Sequence, residues 1–162
     1  MLAVMLQNGH EPDPFTLNRL MNRLCKEGKL QEVNKLLHLM IKEECNPNVI
    51  TYNILIDGLC KQHKLDEARK LFSETSEKNI SLDVFTYNAL IDGLCKEGKL
   101  DNGFCKEHKL DEAMKLFSEM LEKNISPNVV TDSSLINGLC KERMLDEARK
   151  LFSEMYGRNI YP

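Results

Sequence analysis

Apolar and polar positions are spaced along this chain as they are in amphipathic helices. Between Val49 and Lys61 the apolar residues stand three and four positions apart, so they form one stripe on a helix. A second stripe of the same kind lies between Leu65 and Thr75. Pro47 precedes the first stripe and prevents a helix from continuing through it. The pattern predicts two short helices in succession. Their stripes are Tyr52, Leu55, Ile56, Leu59 and Cys60, and Leu65, Ala68, Leu71, Phe72 and Thr75.

The helix pair recurs along the sequence. The segment Val49–Lys61 is repeated as Val84–Lys96, and more loosely from Pro14 and from Val129. Neither helix of a pair could bury its stripe alone, whereas stacked pairs can. We therefore predict an all-α fold, a right-handed α-solenoid of antiparallel helix-turn-helix repeats in one domain. The repeats span 14–48, 49–83, 84–128 and 129–162, and residues 1–13 form the tail of an incomplete repeat.

The third repeat contains ten residues more than the first two. Within it, the segment Leu94–Asp101 is echoed by Phe104–Asp111, as if the start of one repeat were fused to the end of the next. Either the first helix of this repeat is longer, or the turn after it is expanded. Gly98 and the pair Asn102-Gly103 favour a break in the helix.

Composition and charge exclude several protein classes. The net charge is −3, and basic residues do not dominate the chain as they do in many nucleic-acid binders. No apolar run reaches the roughly 18 residues that a membrane span requires, so we expect no membrane association. The first ten residues contain no Lys or Arg, and we expect no targeting sequence there.

The six cysteines also follow the repeat. Cys25, Cys60 and Cys95 are 35 residues apart, and Cys105 and Cys140 share that spacing. Equivalent positions within apolar stripes favour buried, free thiols in a reducing compartment. Cys60 with His63, and Cys105 with His108, are spaced as ligand pairs, but no second pair completes a tetrahedral site. We therefore expect no metal and no cofactor. Nor does any nucleophile and base occur in a catalytic pattern, and we predict that the chain is not an enzyme.

A second row of residues runs along the first helix of each repeat, beside the apolar stripe. It holds an apolar residue, then an amide or hydroxyl three positions later, and a lysine eleven positions later. Single-stranded RNA is bound by such groups, which stack on bases, hydrogen-bond base edges and neutralise phosphate. Helix capping and ordinary solvation remain the structural alternative. The rows are Phe15, Asn18, Asn22 and Lys26; Ile50, Asn53, Asp57 and Lys61; Phe85, Asn88, Asp92 and Lys96; and Val130, Ser133, Asn137 and Lys141.

The repeated sequence resembles that of a known protein family. Val84–Lys96, together with its copies from Val49 and Val129, is similar to the pentatricopeptide repeat family. The resemblance is to the plain 35-residue class, and especially to its plant fertility-restorer-like members. It implies a single-stranded RNA-binding solenoid that acts in RNA processing or expression in mitochondria, or in chloroplasts, with other proteins of an organellar complex as further partners.

The resemblance also implies roles for individual residues. In that family each repeat addresses one base through an early residue of the first helix and the last residue of the repeat. The implied pairs are Asn18 with Asn48, Asn53 with Asp83, and Asn88 with Asn128, and Ser133 stands without its partner. Asn with Asp implies U, Asn with Asn a pyrimidine leaning to C, and Ser a purine. The implied stacking residues are Phe15, Ile50, Phe85 and Val130, and the implied phosphate contacts are Lys26, Lys61, Lys96 and Lys141.

Two alternatives to RNA binding also fit the sequence. Helical arrays of this kind also serve as protein-binding scaffolds, although an Asn that recurs at one position favours RNA over a variable peptide. The excess in the third repeat and the incomplete repeat at residues 1–13 also fit a truncated fragment without activity.

Overall fold

A computed structural model describes residues 13–78, 80–97 and 104–158. These residues form eight helices and no strand, so the predicted all-α class is confirmed. We call the first helix of each repeat helix A and the second helix B. The A helices are α1 (Pro14–Lys26), α3 (Val49–Lys61), α5 (Val84–Glu97) and α7 (Val129–Lys141). The B helices are α2 (Leu30–Lys42), α4 (Leu65–Glu77), α6 (Phe104–Glu122) and α8 (Leu145–Gly157).

The A helices begin at an Asp or Asn that caps them. The side chain of Asn48 accepts a hydrogen bond from the Thr51 amide, and the Thr51 hydroxyl accepts one from the Asn48 amide. Asn128 and Thr131 form the same reciprocal cap on α7. Such caps satisfy amides that the first turn leaves without partners. Each helix A therefore starts at a residue fixed by local sequence.

In the first, second and fourth repeats a three-residue turn joins helix A to helix B, so the two helices run antiparallel. The middle residue of the turn has a left-handed backbone, with φ of +75° at Gly28, +58° at His63 and +61° at Arg143. Glycine adopts this conformation without steric cost, whereas His63 and Arg143 pay a small penalty for it. The turn geometry is therefore kept even where its preferred residue is absent.

The described contacts divide the chain into two units, residues 1–81 and 82–162. In the first unit, α1 packs on both α2 and α3, and α3 packs on α4. In the second unit, α5 packs on both α6 and α7, and α7 packs on α8. Both predicted stripes face these contacts, because all their residues are buried except Leu59 and Leu71, which are partly buried. The predicted repeat boundaries agree with the helix order and stay a prediction.

The neighbouring A helices approach each other closely at a glycine. A Cβ built on Gly58 would lie 2.6 Å from the Cys25 Sγ and 2.8 Å from the Cys25 Cβ. In the second unit, a Cβ on Gly138 would lie 2.9 Å from the Cys95 Sγ. Glycine on one helix and cysteine on the other therefore set the distance between consecutive A helices in each unit.

Six of the ten extra residues of the third repeat lie in a longer helix B, which was not among the outcomes predicted, whereas the segment 98–103, where an expanded turn was predicted, lies outside the described residues. The α6 helix has 19 residues and begins at Phe104, six residues before Leu110, the counterpart of the Leu65 that begins α4. No Gly or Pro interrupts the sequence from Phe104 to Lys109, so it is compatible with a helix. The predicted break at Gly98 and Asn102-Gly103 lies outside the described residues, as do residues 1–12 of the predicted N-terminal tail.

The cysteine prediction is confirmed for most of the described positions. Cys25, Cys60 and Cys95 are buried thiols, whereas Cys45 is a partly buried thiol. It is wrong for Cys140, which is exposed, because no described helix A follows α7 to cover that thiol. The side chain of the sixth cysteine, Cys105, lies outside the described residues.

We expect an alkylating reagent to modify Cys140 long before Cys95 in the native protein. Burial raises the pKa of the Cys95 thiol to about 12, so the reactive thiolate is scarce there at neutral pH. Mass spectrometry of peptides after brief labelling at pH 7.5 would give the order of modification. Labelling in denaturant serves as the control, since both thiols should then react equally. Equal native rates would contradict the burial of Cys95.

A buried ion pair takes the place of a tyrosine in the fourth repeat. The Tyr87 hydroxyl donates a hydrogen bond to Glu119 Oε1 at 3.0 Å, and Asp132 holds the equivalent position in α7. Asp132 is fully buried, and the Arg158 guanidinium lies 2.9 Å from its Oδ1. The other carboxylate oxygen, Oδ2, has no hydrogen-bond partner among the described residues. Burial raises the pKa of the Asp132 carboxyl, and the Arg158 charge opposes that rise.

Candidate nucleic-acid interface

The apolar residue at the start of each row is exposed. Phe15 and Phe85 are 69% and 70% exposed, and Ile50 and Val130 are 54% exposed each. Large apolar side chains at four equivalent places on the surface are available to stack on flat partners such as bases. The predicted stacking residues therefore share one position at the N-terminal end of their A helices.

In the first unit, the predicted base-reading amide of α1 is anchored by a threonine of α3. Asn18 is 6% exposed, and its Oδ1 accepts a hydrogen bond of 2.9 Å from the Thr51 hydroxyl. The same hydroxyl lies 3.3 Å from the Oδ1 of Asn48, the last residue of the repeat. Asn18 and Asn48 therefore meet at Thr51, and their joint role in reading a base stays a prediction.

In the second unit, the corresponding residues form a closed network. The Thr131 hydroxyl donates to Asn88 Oδ1 at 2.5 Å, and the Asn88 amide nitrogen donates to Asn128 Oδ1 at 3.1 Å. Forty residues separate Asn88 from Asn128, against thirty between Asn18 and Asn48. The excess in the third repeat therefore leaves this pair in register.

The predicted base-reading residues of the second and fourth repeats lie in different environments. Asn53 is partly buried in the first unit, and Ser133 is exposed in the second. Asp83 caps α5 in the second unit, since its Oδ1 accepts a 3.0 Å hydrogen bond from the Phe85 amide. Because Asn53 and Asp83 belong to different units, their pairing stays a prediction.

The cap of α7 uses only the side-chain oxygen of Asn128. The Oδ1 of Asn128 accepts hydrogen bonds from the amides of Val130 and Thr131 as well as from Asn88. An Asn side chain has two further hydrogen-bond donors on Nδ2. The capping role that sequence analysis left open is therefore real, and it is compatible with a contact from Nδ2 to a base.

The four predicted phosphate lysines are exposed, and they differ in their partners. The Nζ of Lys61 lies 2.6 Å from Asp57 Oδ2, and the Nζ of Lys96 lies 2.6 Å from Asp92 Oδ2. Lys141 instead donates a 3.2 Å hydrogen bond to the main-chain oxygen of Cys95. Exposed ion pairs of this kind contribute little to stability.

Sequence reasoning missed the threonines that orient the amides. Thr51 and Thr131 are fully buried, and each joins an Asn of the preceding helix A to the cap of its own helix. A signal for them exists in the sequence, since Thr recurs at the third position of every helix A, at Thr16, Thr51, Thr86 and Thr131. Only the packing of one helix A on the next shows which amide each threonine meets.

Two further observations concern the described residues alone. No three His, Cys, Asp or Glu side chains among them come together in a group that could hold a metal ion. None of the helices they form is both long enough and apolar enough to cross a membrane.

Comparison with protein families identifies the repeat. A model of the PPR repeat family matches residues 12–61, 47–96 and 102–141, and a model of the PPR repeat matches residues 133–160. Together these matches cover most of the chain. No curated protein matches the chain in sequence.

Solved structures resemble the chain over nearly its whole length. The pentatricopeptide repeat protein PPR10 from maize is 26% identical with a TM-score of 0.80, and the match covers 98% of this chain and 21% of PPR10. PPR10 in complex with an 18-nt psaJ RNA element gives the same identity and TM-score over 99% of this chain and 22% of PPR10. The chain therefore spans about a fifth of the length of PPR10.

A more distant structure supports the fold alone. The PPR domain of Arabidopsis thaliana protein-only RNase P 1, in complex with tRNA, is 14% identical with a TM-score of 0.75. That match covers 99% of this chain and 80% of the domain. The predicted solenoid class is confirmed by these similarities together with the helix pairs of each unit.

Proposed function

Since this chain belongs to the pentatricopeptide repeat family, we propose that it binds single-stranded RNA, with each repeat addressing one base. The resemblance to family members further supports a role in organellar RNA processing or expression, in mitochondria or in chloroplasts. Other proteins of an organellar RNA-processing complex would be its further partners. The crystal structure of PPR10 in complex with an RNA element matches 99% of this chain.

One observation carries the proposal. Each unit holds an Asn whose Oδ1 is fixed by a threonine of the next helix A, close to an exposed phenylalanine one turn earlier. A fixed amide beside an exposed ring offers a base both hydrogen bonds and a stacking surface. The same arrangement occurs twice, with Phe15, Asn18 and Thr51 in one unit and Phe85, Asn88 and Thr131 in the other.

Hydrogen-bond chemistry supports a choice between the two pyrimidines. An Asn cap offers Nδ2 hydrogens, and the N3 atom of cytosine is an acceptor. An Asp cap only accepts hydrogen bonds, and the N3–H group of uracil is a donor. Repeats closed by Asn48 or Asn128 would therefore favour C, and the repeat closed by Asp83 would favour U.

The phosphate contacts would add affinity without sequence preference. Lys26, Lys61, Lys96 and Lys141 are exposed at equivalent positions near the C-terminal ends of their A helices. Each lysine that neutralises a phosphate of a single strand contributes about 0.7 to the slope of log K against log salt. The proposal therefore predicts binding that weakens steeply as salt rises.

The direct test is fluorescence anisotropy with labelled C-rich and U-rich oligomers at low salt. Four bases at about 1–3 kcal/mol each, less the cost of ordering the strand, give a Kd in the micromolar to millimolar range. We therefore expect saturable binding at high micromolar protein, and weaker binding to a duplex control. If neither oligomer binds, the RNA assignment fails, and the protein-binding scaffold or the inactive fragment replaces it.

Exchanging the caps should exchange the preferred pyrimidine. We expect Asn128→Asp to move the preference at its repeat from C towards U, and Asp83→Asn to move its repeat from U towards C. Each base contact is worth about 1–3 kcal/mol, and Asn and Asp cap helices about equally well. Oligomers that differ at one base give the ratio of affinities, and thermal unfolding checks that stability is unchanged. Unchanged ratios in both variants would contradict base reading by these residues.

A further inference from the structure

Two of the four row lysines are held by a carboxylate of their own helix. Lys61 is paired with Asp57, and Lys96 is paired with Asp92, each four residues earlier, with 2.6 Å between Nζ and Oδ2. Side chains four residues apart lie on the same face of a helix, so each Asp stands beside the predicted phosphate contact. Both pairs are solvent-exposed, which leaves them accessible to an incoming strand.

Asp92 is held in place from a second direction. Its Oδ1 accepts a 3.1 Å hydrogen bond from the Ser134 hydroxyl on α7, while its Oδ2 meets Lys96. Because one carboxylate bridges two A helices, its negative charge stays fixed in the row. A phosphate that approaches Lys96 must therefore compete with a carboxylate that is already in place.

The other two rows lack this carboxylate. Asn22 and Asn137 stand where Asp57 and Asp92 do, so the rows that end at Lys26 and Lys141 keep a net charge of +1. Lys141 is engaged by the Cys95 carbonyl oxygen, a neutral acceptor, rather than by a carboxylate. Within one chain, equivalent lysines therefore occur with and without a neutralising neighbour.

The geometry points to Asp57 and Asp92 as positioning residues that restrain Lys61 and Lys96 and lower the affinity of the middle repeats for the RNA backbone. This inference rests on the proposed function and adds a means by which the chain limits its affinity for RNA. A phosphate must displace the carboxylate before it can pair with the lysine. The carboxylate then repels the phosphate at close range. Binding to the middle repeats therefore depends more on the bases and less on the backbone than binding to the outer repeats.

The test compares Asp57→Asn/Asp92→Asn with the wild-type chain. These substitutions install the residue already present in the outer rows, so the fold should tolerate them. Release of two exposed pairs, each worth about 0.3–0.5 kcal/mol, predicts about three- to fivefold tighter binding to C-rich and U-rich oligomers alike at low salt. The salt slope should steepen by about 0.7 for each lysine that gains a phosphate.

Asp66→Asn/Asp111→Asn is the matched control. It removes the same charge from exposed positions on α4 and α6, outside the rows. We expect at most a small change in affinity and an unchanged slope. An equal gain in both double variants would show that only net charge matters, and would overturn the inference.

A third variant tests whether Asp57 acts through its lysine. Lys61→Ala should itself weaken binding to every sequence. In that background, Asp57→Asn should increase the affinity for RNA by less than half of the increase it gives in the wild-type chain. A full gain there would overturn the role assigned to Asp57. If the wild-type chain binds RNA but the Asn variants do not bind more tightly, the inference fails and the proposed function stands. If no variant binds RNA, both fail.

Discussion

Replacing Arg158 with alanine is expected to destabilise the second unit by about 3–5 kcal/mol at neutral pH, because it leaves a buried charge without its partner. Asp132 is fully buried, and Arg158 lies 2.9 Å from its Oδ1. Urea denaturation followed by circular dichroism measures the loss. Lys123→Ala is the matched control, since Lys123 holds the equivalent position in the third repeat but pairs with the partly exposed Glu119. Lys123→Ala should lower the free energy of unfolding by less than about 1 kcal/mol.

The loss should shrink in acid. Burial raises the pKa of Asp132, so the folded state binds this proton more tightly than the unfolded state does. For a carboxyl with a raised pKa, stability is greatest below the unfolded value of about 3.9, and it falls as pH rises through the folded value. Removing the Arg158 charge should raise that folded value further. The variant should therefore lose stability between pH 4 and pH 7 more steeply than the wild-type chain.

A second substitution separates charge from packing. Asp132→Tyr restores the residue found at Tyr52 and Tyr87 and removes the buried carboxylate. In that background Arg158→Ala should cost far less than it does in the wild-type chain. A cost of several kcal/mol in both backgrounds would show that Arg158 acts through its contact with the Phe117 ring, 5.6 Å away, instead of through Asp132.

Substituting Gly58 by alanine should destabilise the first unit by about 1–3 kcal/mol. On an isolated helix the same change would stabilise by about 1 kcal/mol, so the sign of the effect reports tertiary packing. The new Cβ would lie 2.6 Å from the Cys25 Sγ and 2.8 Å from its Cβ, closer than such atoms pack. The helices must then move apart or distort.

Two other glycines complete this test. A Cβ on Gly138 would approach Cys95 less closely, at 2.9 Å, and a Cβ on Gly157 would meet nothing within 4 Å. The loss of stability should therefore decrease from Gly58→Ala to Gly138→Ala, and Gly157→Ala should cost nothing. Cys25→Gly removes the atoms that clash, so it should recover part of the loss in the Gly58→Ala variant. Thermal unfolding temperatures that fail to follow this order would refute the close approach of the A helices.

The helices follow from local sequence. Asn48 and Thr51 form a cap within three residues of each other, and the stripe from Tyr52 to Cys60 determines which face is buried. Both depend on neighbours along the chain, so periodicity and capping rules suffice to predict them. The exposure of Phe15 and Phe85 follows in the same way, because each lies outside the apolar stripe at the start of its helix.

The arrangement of the candidate site depends on distant partners. The Thr131 hydroxyl meets Asn88 from 43 positions away, and Ser134 meets Asp92 from 42 positions away. No pattern within a single helix specifies these contacts, because they depend on the distance and rotation between neighbouring A helices. That distance is set where Gly138 approaches Cys95.

By itself, the sequence determined the repeat, the helix pairs, the family and the face on which the candidate RNA-binding residues lie, since each of these depends on spacing within a single helix or on repetition. Only the tertiary structure decided that Cys140 is exposed, that the third repeat extends its helix B, and that Asp132 is paired with Arg158. Burial and ion pairing are properties of the space around a side chain. That space is enclosed by residues from other helices, and a stripe on one helix does not specify which residues those are.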